Sequence, residues 1–198
     1  MQNQQKALFL DRDGIFIKMH YHRNVGVIDT PLVPSQVVFV PGIFDLLKHA
    51  KNMGYLLILI SNQPGIGIRK INKKNFIAIK NKISQELKAN SITLDGEYYC
   101  LHHPFALIKK YAVECTCRKP KTGLIDQAVK DLKIDISKSW MIGDGIYDII
   151  GGHNAGLKTI LIANITETEY LQVVESQLQD IKPTYLVKNL KQVKNLLY

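Results

Sequence analysis

A chain of 198 residues, 46% hydrophobic and 22% charged, can bury a full core without disulfide staples and has the balance of an ordinary globular protein. Its apolar runs stay far below the roughly 20 residues of a membrane helix, and Met1-Gln2-Asn3-Gln4-Gln5 lacks the charged start of a secretory signal. Three cysteines are an odd number, which argues against a disulfide framework and for a reducing compartment, with the cytoplasm as the expected location. The net charge of +9 suits an anionic ligand, but stretches such as Lys70-Ile71-Asn72-Lys73-Lys74 read first as solvated helix faces.

Ala7–Leu10 reads as a short buried strand that runs into Asp11-Arg12-Asp13-Gly14. Ile43, Leu46, Leu47 and Ala50 have i, i+3, i+4, i+7 spacing between Pro41 and Gly54, which predicts a helix. The continuous apolar run over 55–60 is the mark of a strand covered on both faces, and Ser61-Asn62-Gln63 follows it. Phe76, Ile79, Ile83 and Leu87 predict a second helix, and Tyr98-Tyr99 a short strand leading into Cys100. Leu124, Ile125, Ala128, Val129 and Leu132 predict a third helix. A strand over 140–142 ends in Gly143-Asp144, followed by a short helix over 146–155 and a strand over 159–162. The chain closes with a strand over 183–187 and a helix over 190–197.

Strands alternating with helices predict an α/β fold, a Rossmann-like open parallel sheet with helices on both faces. Without a linker or repeat, 1–198 reads as one domain. Every polar cluster of interest follows the end of an apolar strand, and ligands of open parallel sheets bind at those carboxyl ends. Four clusters therefore point to one site.

Asp11 and Asp13, two apart beyond a strand, are weak evidence alone, but Asp144 after another strand adds a third carboxylate. Such oxygen donors suit Mg²⁺, which takes few protein ligands and a substrate phosphate. Ser61-Asn62-Gln63 offers a hydroxyl and turn amides for phosphate oxygens. Lys119 offers a positive charge for a phosphoryl group in transfer. Cys100, His102, Cys115 and Cys117 form two short clamps, C-x-H and C-x-C, the donor set of a closed tetrahedral zinc site. The second clamp runs directly into Arg118-Lys119-Pro120, so the metal would hold two cations still.

These four ordered segments, Phe9-Leu10-Asp11-Arg12-Asp13-Gly14, Ser61-Asn62-Gln63, Cys117-Arg118-Lys119-Pro120 and Ile142-Gly143-Asp144, resemble the motifs of haloacid-dehalogenase-type phosphatases. The resemblance is to the cap-less, zinc-bearing branch that includes heptose-bisphosphate and histidinol-phosphate phosphatases. It spans roughly residues 7 to 165, and the long stretch from His102 to Cys115 is similar to the heptose-bisphosphate members. The resemblance implies an Mg²⁺-dependent phosphatase with Asp11 as the nucleophile that forms an aspartyl-phosphate. Asp13 would protonate the leaving oxygen and then activate water. Mg²⁺ would be held by Asp11, Asp144 and the Asp13 carbonyl. Ser61 and Lys119 would hold the phosphoryl oxygens, and Arg12, Asn62, Gln63 and Arg118 would contact substrate. The implied substrate is a small phosphorylated sugar, with a monomer expected, no membrane partner and no role favoured for nucleic acid.

Gly145 stands where this branch often has Lys or Arg, and the segment 18–34 is longer than the family's loop. Both departures bear on substrate choice. Among the remaining candidates, Asp148 reads as a structural carboxylate bonding loop amides, and His103 as an ordinary exposed histidine. His20 and His22 read as solvated loop residues at least as readily as substrate contacts, and Trp140 as core. The alternatives are a histidinol-phosphate or other small phosphomonoester phosphatase, a DNA 3′-phosphatase-like nucleic-acid-binding protein, and an inactive zinc-stabilised scaffold.

Overall fold

The structure, a computed structural model, describes residues 4–163 and 181–197. Six parallel strands form one sheet. In chain order they are β1 (Ala7–Leu10), β4 (Leu56–Asn62), β5 (Gly96–Cys100), β6 (Trp140–Gly143), β7 (Lys158–Ile162) and β8 (Tyr185–Val187), and across the sheet they run β5-β4-β1-β6-β7-β8. The helices among the described residues are α1 (Ile43–Asn52), α2 (Lys73–Ala89), α3 (Gly123–Leu132), α4 (Ile146–Asn154) and α5 (Leu190–Lys194). The α/β expectation holds among the described residues. The strand order switches direction at β1, which places the end of that strand at the crevice of the fold.

Period-2 alternation sorts each strand between two cores. Leu8, Leu10, Leu57, Leu59, Trp140 and Ile142 face α1, α2 and α5, packing with Leu46, Leu47, Ile79, Ile83 and Val193. Ala7, Phe9, Ile58, Ile60 and Met141 face the other way, onto Leu124, Ile125 and Ala128 of α3. All four residues of β1 are fully buried, so a continuous apolar run is what this position requires. Each buried Leu, Ile or Phe contributes roughly 1.5–3 kcal/mol.

Several elements differ from expectation in their bounds, β8 for one beginning at Tyr185 and not at 183. β4 extends through Asn62, because Ser61 pairs with Tyr99 and Asn62 with Cys100 on β5; both lie on strand rather than in a turn. The last helix stops at Lys194. The segment 18–34 is not a plain loop but carries an antiparallel hairpin, β2 (His20–His22) with β3 (Val27–Asp29). Gly26, at φ 68°, closes its turn with its N–H on the His22 carbonyl at 2.8 Å. His22 is buried rather than solvated, and its Nε2 donates to the Thr30 carbonyl at 3.0 Å. Trp140 is core, as expected.

Candidate active site and metal centres

Asp11 follows β1 with its N–H on the Ile142 carbonyl of β6 at 3.1 Å, so the sheet itself aims it into the crevice. Beside it lies Lys119, only 4% exposed, with Nζ 2.9 Å from Asp11 Oδ1 and 2.5 Å from Asp148 Oδ1. Nζ also donates to the Ile60 carbonyl at 3.3 Å, whereas the Asp11 contact is an ion pair that leaves Asp11 Oδ1 without a hydrogen-bond partner. Burial opposes the charge on Lys119, but Asp11 and Asp148 outweigh it and hold the pKa above the ordinary lysine value. Asp148 comes from the first turn of α4, where its Oδ2 accepts the Gly145 N–H at 3.1 Å. Burial raises its pKa to about 6 even against the pull of Lys119. Both of its oxygens are thus engaged within the protein.

Asp144, at the end of β6, completes a cluster with Asp11 and Asp148 in which ligand oxygens lie within 4.8 Å of one another. Solvent reaches the Asp144 side chain, yet the surrounding protein strips enough water from it to raise its pKa to about 7, with Asp11 and Asp148 adding repulsion. Carboxylates crowded this closely around one lysine are short of positive charge, and hard oxygen donors so placed fit Mg²⁺. Gly14 makes the approach possible. Its φ is +83°, and a Cβ there would lie 1.8 Å from Asp144 Oδ2, so any side chain would be refused twice.

Asp13, Ser61, Asn62, Gln63, Arg118 and Lys119 border the same cavity, of about 450 Å³. Arg12 does not. It is 1% exposed and lies behind Asp13, donating to Asp13, Thr30 and Gln63. Arg12 thus braces Asp13 from within the protein through Nε and Nη2, while its buried Nη1 has no hydrogen-bond partner. The Asn62 and Gln63 side chains, although both residues border the cavity, also have partners within the protein. The Asn62 amide is a two-way hook on the Lys119 backbone, Nδ2 to the carbonyl and Oδ1 from the N–H, both at 2.9 Å. The Gln63 amide donates to Asp13 Oδ2 at 2.6 Å and Ser61 Oγ at 3.1 Å, and accepts from Arg12 at 2.7 Å. Thr30, which no sequence motif marks, joins this network through its hydroxyl.

The second centre lies beyond β5. Sγ of Cys117 is 3.1 Å from that of Cys100 and 3.3 Å from that of Cys115, and Cys100 and Cys115 are 3.6 Å apart. His102 Nδ1 is 3.3 Å from Cys117 Sγ and 3.9 Å from Cys100 Sγ. Four sulfur and nitrogen donors this close approach the edges of about 3.8 Å that a tetrahedron of 2.3 Å zinc–sulfur bonds would have, so the set fits zinc. His102 turns its carbonyl to Arg118 Nη1 at 3.3 Å, which ties the clamp to the first of the two cations. His103 stays outside the clamp, its Nδ1 accepting the Phe105 N–H at 3.2 Å.

Residues 116–193 match the family model described as "HAD-hyrolase-like". The chain is 34% identical over 188 residues, 92% of its own length and 96% of the relative's, to the D-glycero-beta-D-manno-heptose-1,7-bisphosphate 7-phosphatase of Vibrio cholerae serotype O1. The chain belongs to this phosphatase family. It is also 40% identical to the enzyme of that name from Helicobacter pylori strain 26695, over 85% of this chain and 90% of that one. With the Pasteurella multocida protein of the same name identity is 38%, over 80% and 82%. Among solved structures, the D,D-heptose 1,7-bisphosphate phosphatase of B. bronchiseptica, complexed with magnesium and phosphate, aligns at a TM-score of 0.76 over 96% of this chain and 97% of that one, at 20% identity. Membership makes the chain a phosphoric monoester hydrolase of the haloacid-dehalogenase type, and no described helix is long and apolar enough to cross a membrane.

Proposed function

We propose that the chain, acting as one domain over 1–198 in the cytoplasm, removes the 7-phosphate of D-glycero-beta-D-manno-heptose 1,7-bisphosphate with Mg²⁺ bound. The observation that carries this reading is the placement of Asp11, Lys119 and Asp13 around one cavity at the ends of β1 and β4, in a chain whose named relatives act on that sugar. Asp11 attacks phosphorus and becomes an aspartyl-phosphate, while Asp13 gives a proton to the leaving sugar oxygen. Water then attacks the acyl-phosphate as Asp13 takes a proton back. Lys119 Nζ, 2.9 Å from Asp11 Oδ1, is positioned for the charge that collects on the phosphoryl oxygens, and the Ser61 hydroxyl donates to them. Asp11, Asp144 and the Asp13 carbonyl would hold Mg²⁺, which supplies charge neutralisation when bound. Arg118, braced on His102, suits the second phosphate as a bidentate donor.

Phosphate release from heptose 1,7-bisphosphate, histidinol phosphate and a 3′-phosphorylated oligonucleotide, measured side by side, tests this reading. The bisphosphate is expected to lead in kcat/KM by at least about tenfold, the scale of a lost polar contact in a built site, and only with Mg²⁺ restored after chelation. A lead for either other ester, or full activity after thorough Mg²⁺ depletion, would overturn it.

The zinc clamp carries a second expectation. One zinc per chain fills all four donor positions, so it serves structure and not water activation. Cys115→Ser should strip the metal, lower the melting temperature, and raise KM as well as lower kcat, because Arg118 hangs from His102. Metal analysis beside a melting curve decides this. A zinc-free variant with parental stability and kinetics would refute the clamp.

A further inference from the structure

The β2–β3 hairpin delivers into the catalytic cavity a residue that belongs to none of the four motifs. Thr30 Oγ1 donates to Asp13 Oδ1 at 2.7 Å and accepts from Arg12 Nη2 at 2.8 Å. The other carboxylate oxygen, Oδ2, is held by Gln63 Nε2 at 2.6 Å and by Arg12 Nη2 and Nε at 3.0 and 3.2 Å. Arg12 reaches Oδ1 as well, but only at 3.2 Å. Thr30 therefore makes the one short contact to Oδ1, and without it that oxygen keeps a single long one.

Thr30 is itself well fastened. Its N–H donates to Asp29 Oδ1 at 2.6 Å, and its carbonyl accepts from buried His22 at 3.0 Å. The second Asp29 oxygen pairs with Lys70, which follows β4 in the chain and also borders the cavity. The end of the hairpin is thus tied to the site at two points, to Asp13 through Thr30 and to Lys70 through Asp29.

We propose that Thr30 is a positioning residue for the acid–base chemistry of Asp13: its hydroxyl fixes the plane of the carboxyl group so that an oxygen stays aimed at the leaving group. The proposal rests on the reading of Asp13 as the proton donor. A carboxyl group whose Oδ1 keeps only the 3.2 Å contact to Arg12 can turn about χ2, and a misplacement near 1 Å costs on the order of 10²-fold in rate. Thr30 also borders the cavity, so direct contact with substrate is the competing role, and the two separate by leaving group. An alkoxide needs the Asp13 proton. A dinitrophenolate does not.

The test compares kcat/KM for heptose 1,7-bisphosphate and 2,4-dinitrophenyl phosphate in the parent protein, Thr30→Val and Thr30→Ser, all with Mg²⁺. Thr30→Val keeps the shape and loses the hydroxyl. It is expected to lose roughly 10- to 100-fold on the sugar ester, part of the roughly 10²- to 10⁴-fold that general-acid catalysis supplies, and less than about threefold on the aryl ester, with the sugar loss in kcat rather than KM. Thr30→Ser keeps the hydroxyl and should stay within about threefold of the parent on both. Thr30→Ala serves as a second hydroxyl-free variant should the valine disturb folding, and it must show the same ratio. Equal losses on both esters, a loss confined to KM, or a serine variant as slow as the valine one would overturn the assignment. A parent that hydrolyses neither ester would remove the proposed function and Thr30 with it. An active parent matched by Thr30→Val would remove Thr30 alone.

Discussion

Asp11→Asn is expected to abolish turnover while leaving the fold intact. The substitution keeps the size and planarity of the side chain but replaces the attacking oxygen with an amide that cannot form an acyl-phosphate, so the covalent step is lost outright. Removing a nucleophile of this kind costs on the order of 10⁴-fold or more in kcat. Two opposed effects set the stability of the variant. Asp11 lies in a cluster with Asp144 and Asp148, and its charge helps raise the pKa of both. Taking that charge away relieves this repulsion but also takes from Lys119 its partner at 2.9 Å, with Asp148 still paired to it at 2.5 Å, so the variant should stay folded and melt near the parent in chelator at pH 8. Turnover and melting are measured on the same preparation. Near-parental turnover would sink the aspartyl-phosphate reading, and a collapsed variant would mean that Asp11 serves the fold.

The sheet was legible because burial on both faces leaves a local trace. Residues 55–60 and Ala7–Leu10 are apolar without interruption, as a strand covered by helices on both sides must be. The ends of those strands showed where the polar motifs meet, since topology carries the carboxyl ends of parallel strands to one edge. The hairpin left no such trace. Val27 and Ile28 are exposed, its strands are three residues long, and its position depends on Thr30 meeting Asp13 and Asp29 meeting Lys70 across 17 and 41 residues of sequence. The side-chain partners of Arg12, Asn62 and Gln63 were hidden for a related reason. A polar residue inside a motif reads as a ligand contact, yet whether its donors face the cavity or the neighbouring strand is decided by packing, as the Asn62 hook on the Lys119 backbone shows.

Lys119→Met should be inactive at every pH and should lose stability in a manner that depends on pH. Methionine keeps a similar length and flexibility, so little packing is lost. What disappears is the ammonium between Asp11 and Asp148, at 2.9 and 2.5 Å, together with the donor to the Ile60 carbonyl. Removing one partner of a buried ion pair typically costs about 3–5 kcal/mol, here with Asp148 and Lys119 both 4% exposed and Asp11 at 16%. The pH dependence follows from Asp148. Its pKa already stands at about 6 because of burial, with Lys119 holding it down, so without the lysine it rises further. A carboxyl group whose folded pKa lies above its unfolded value of about 3.9 binds more protons when folded. Its favourable contribution is complete below the unfolded value and is lost as pH climbs through the folded one. At pH 5 the orphaned Asp148 can take a proton and become neutral in the fold, and at pH 8 it cannot without strain on stability. Urea unfolding of metal-free parent and variant at both values should therefore give a deficit larger at pH 8 than at pH 5 by at least about 1 kcal/mol, since one unit of pKa is worth about 1.4. An equal deficit at the two values would mean that Lys119 supports the fold by packing alone, and the buried charge pair between β1 and α4 would not be what holds the catalytic edge together.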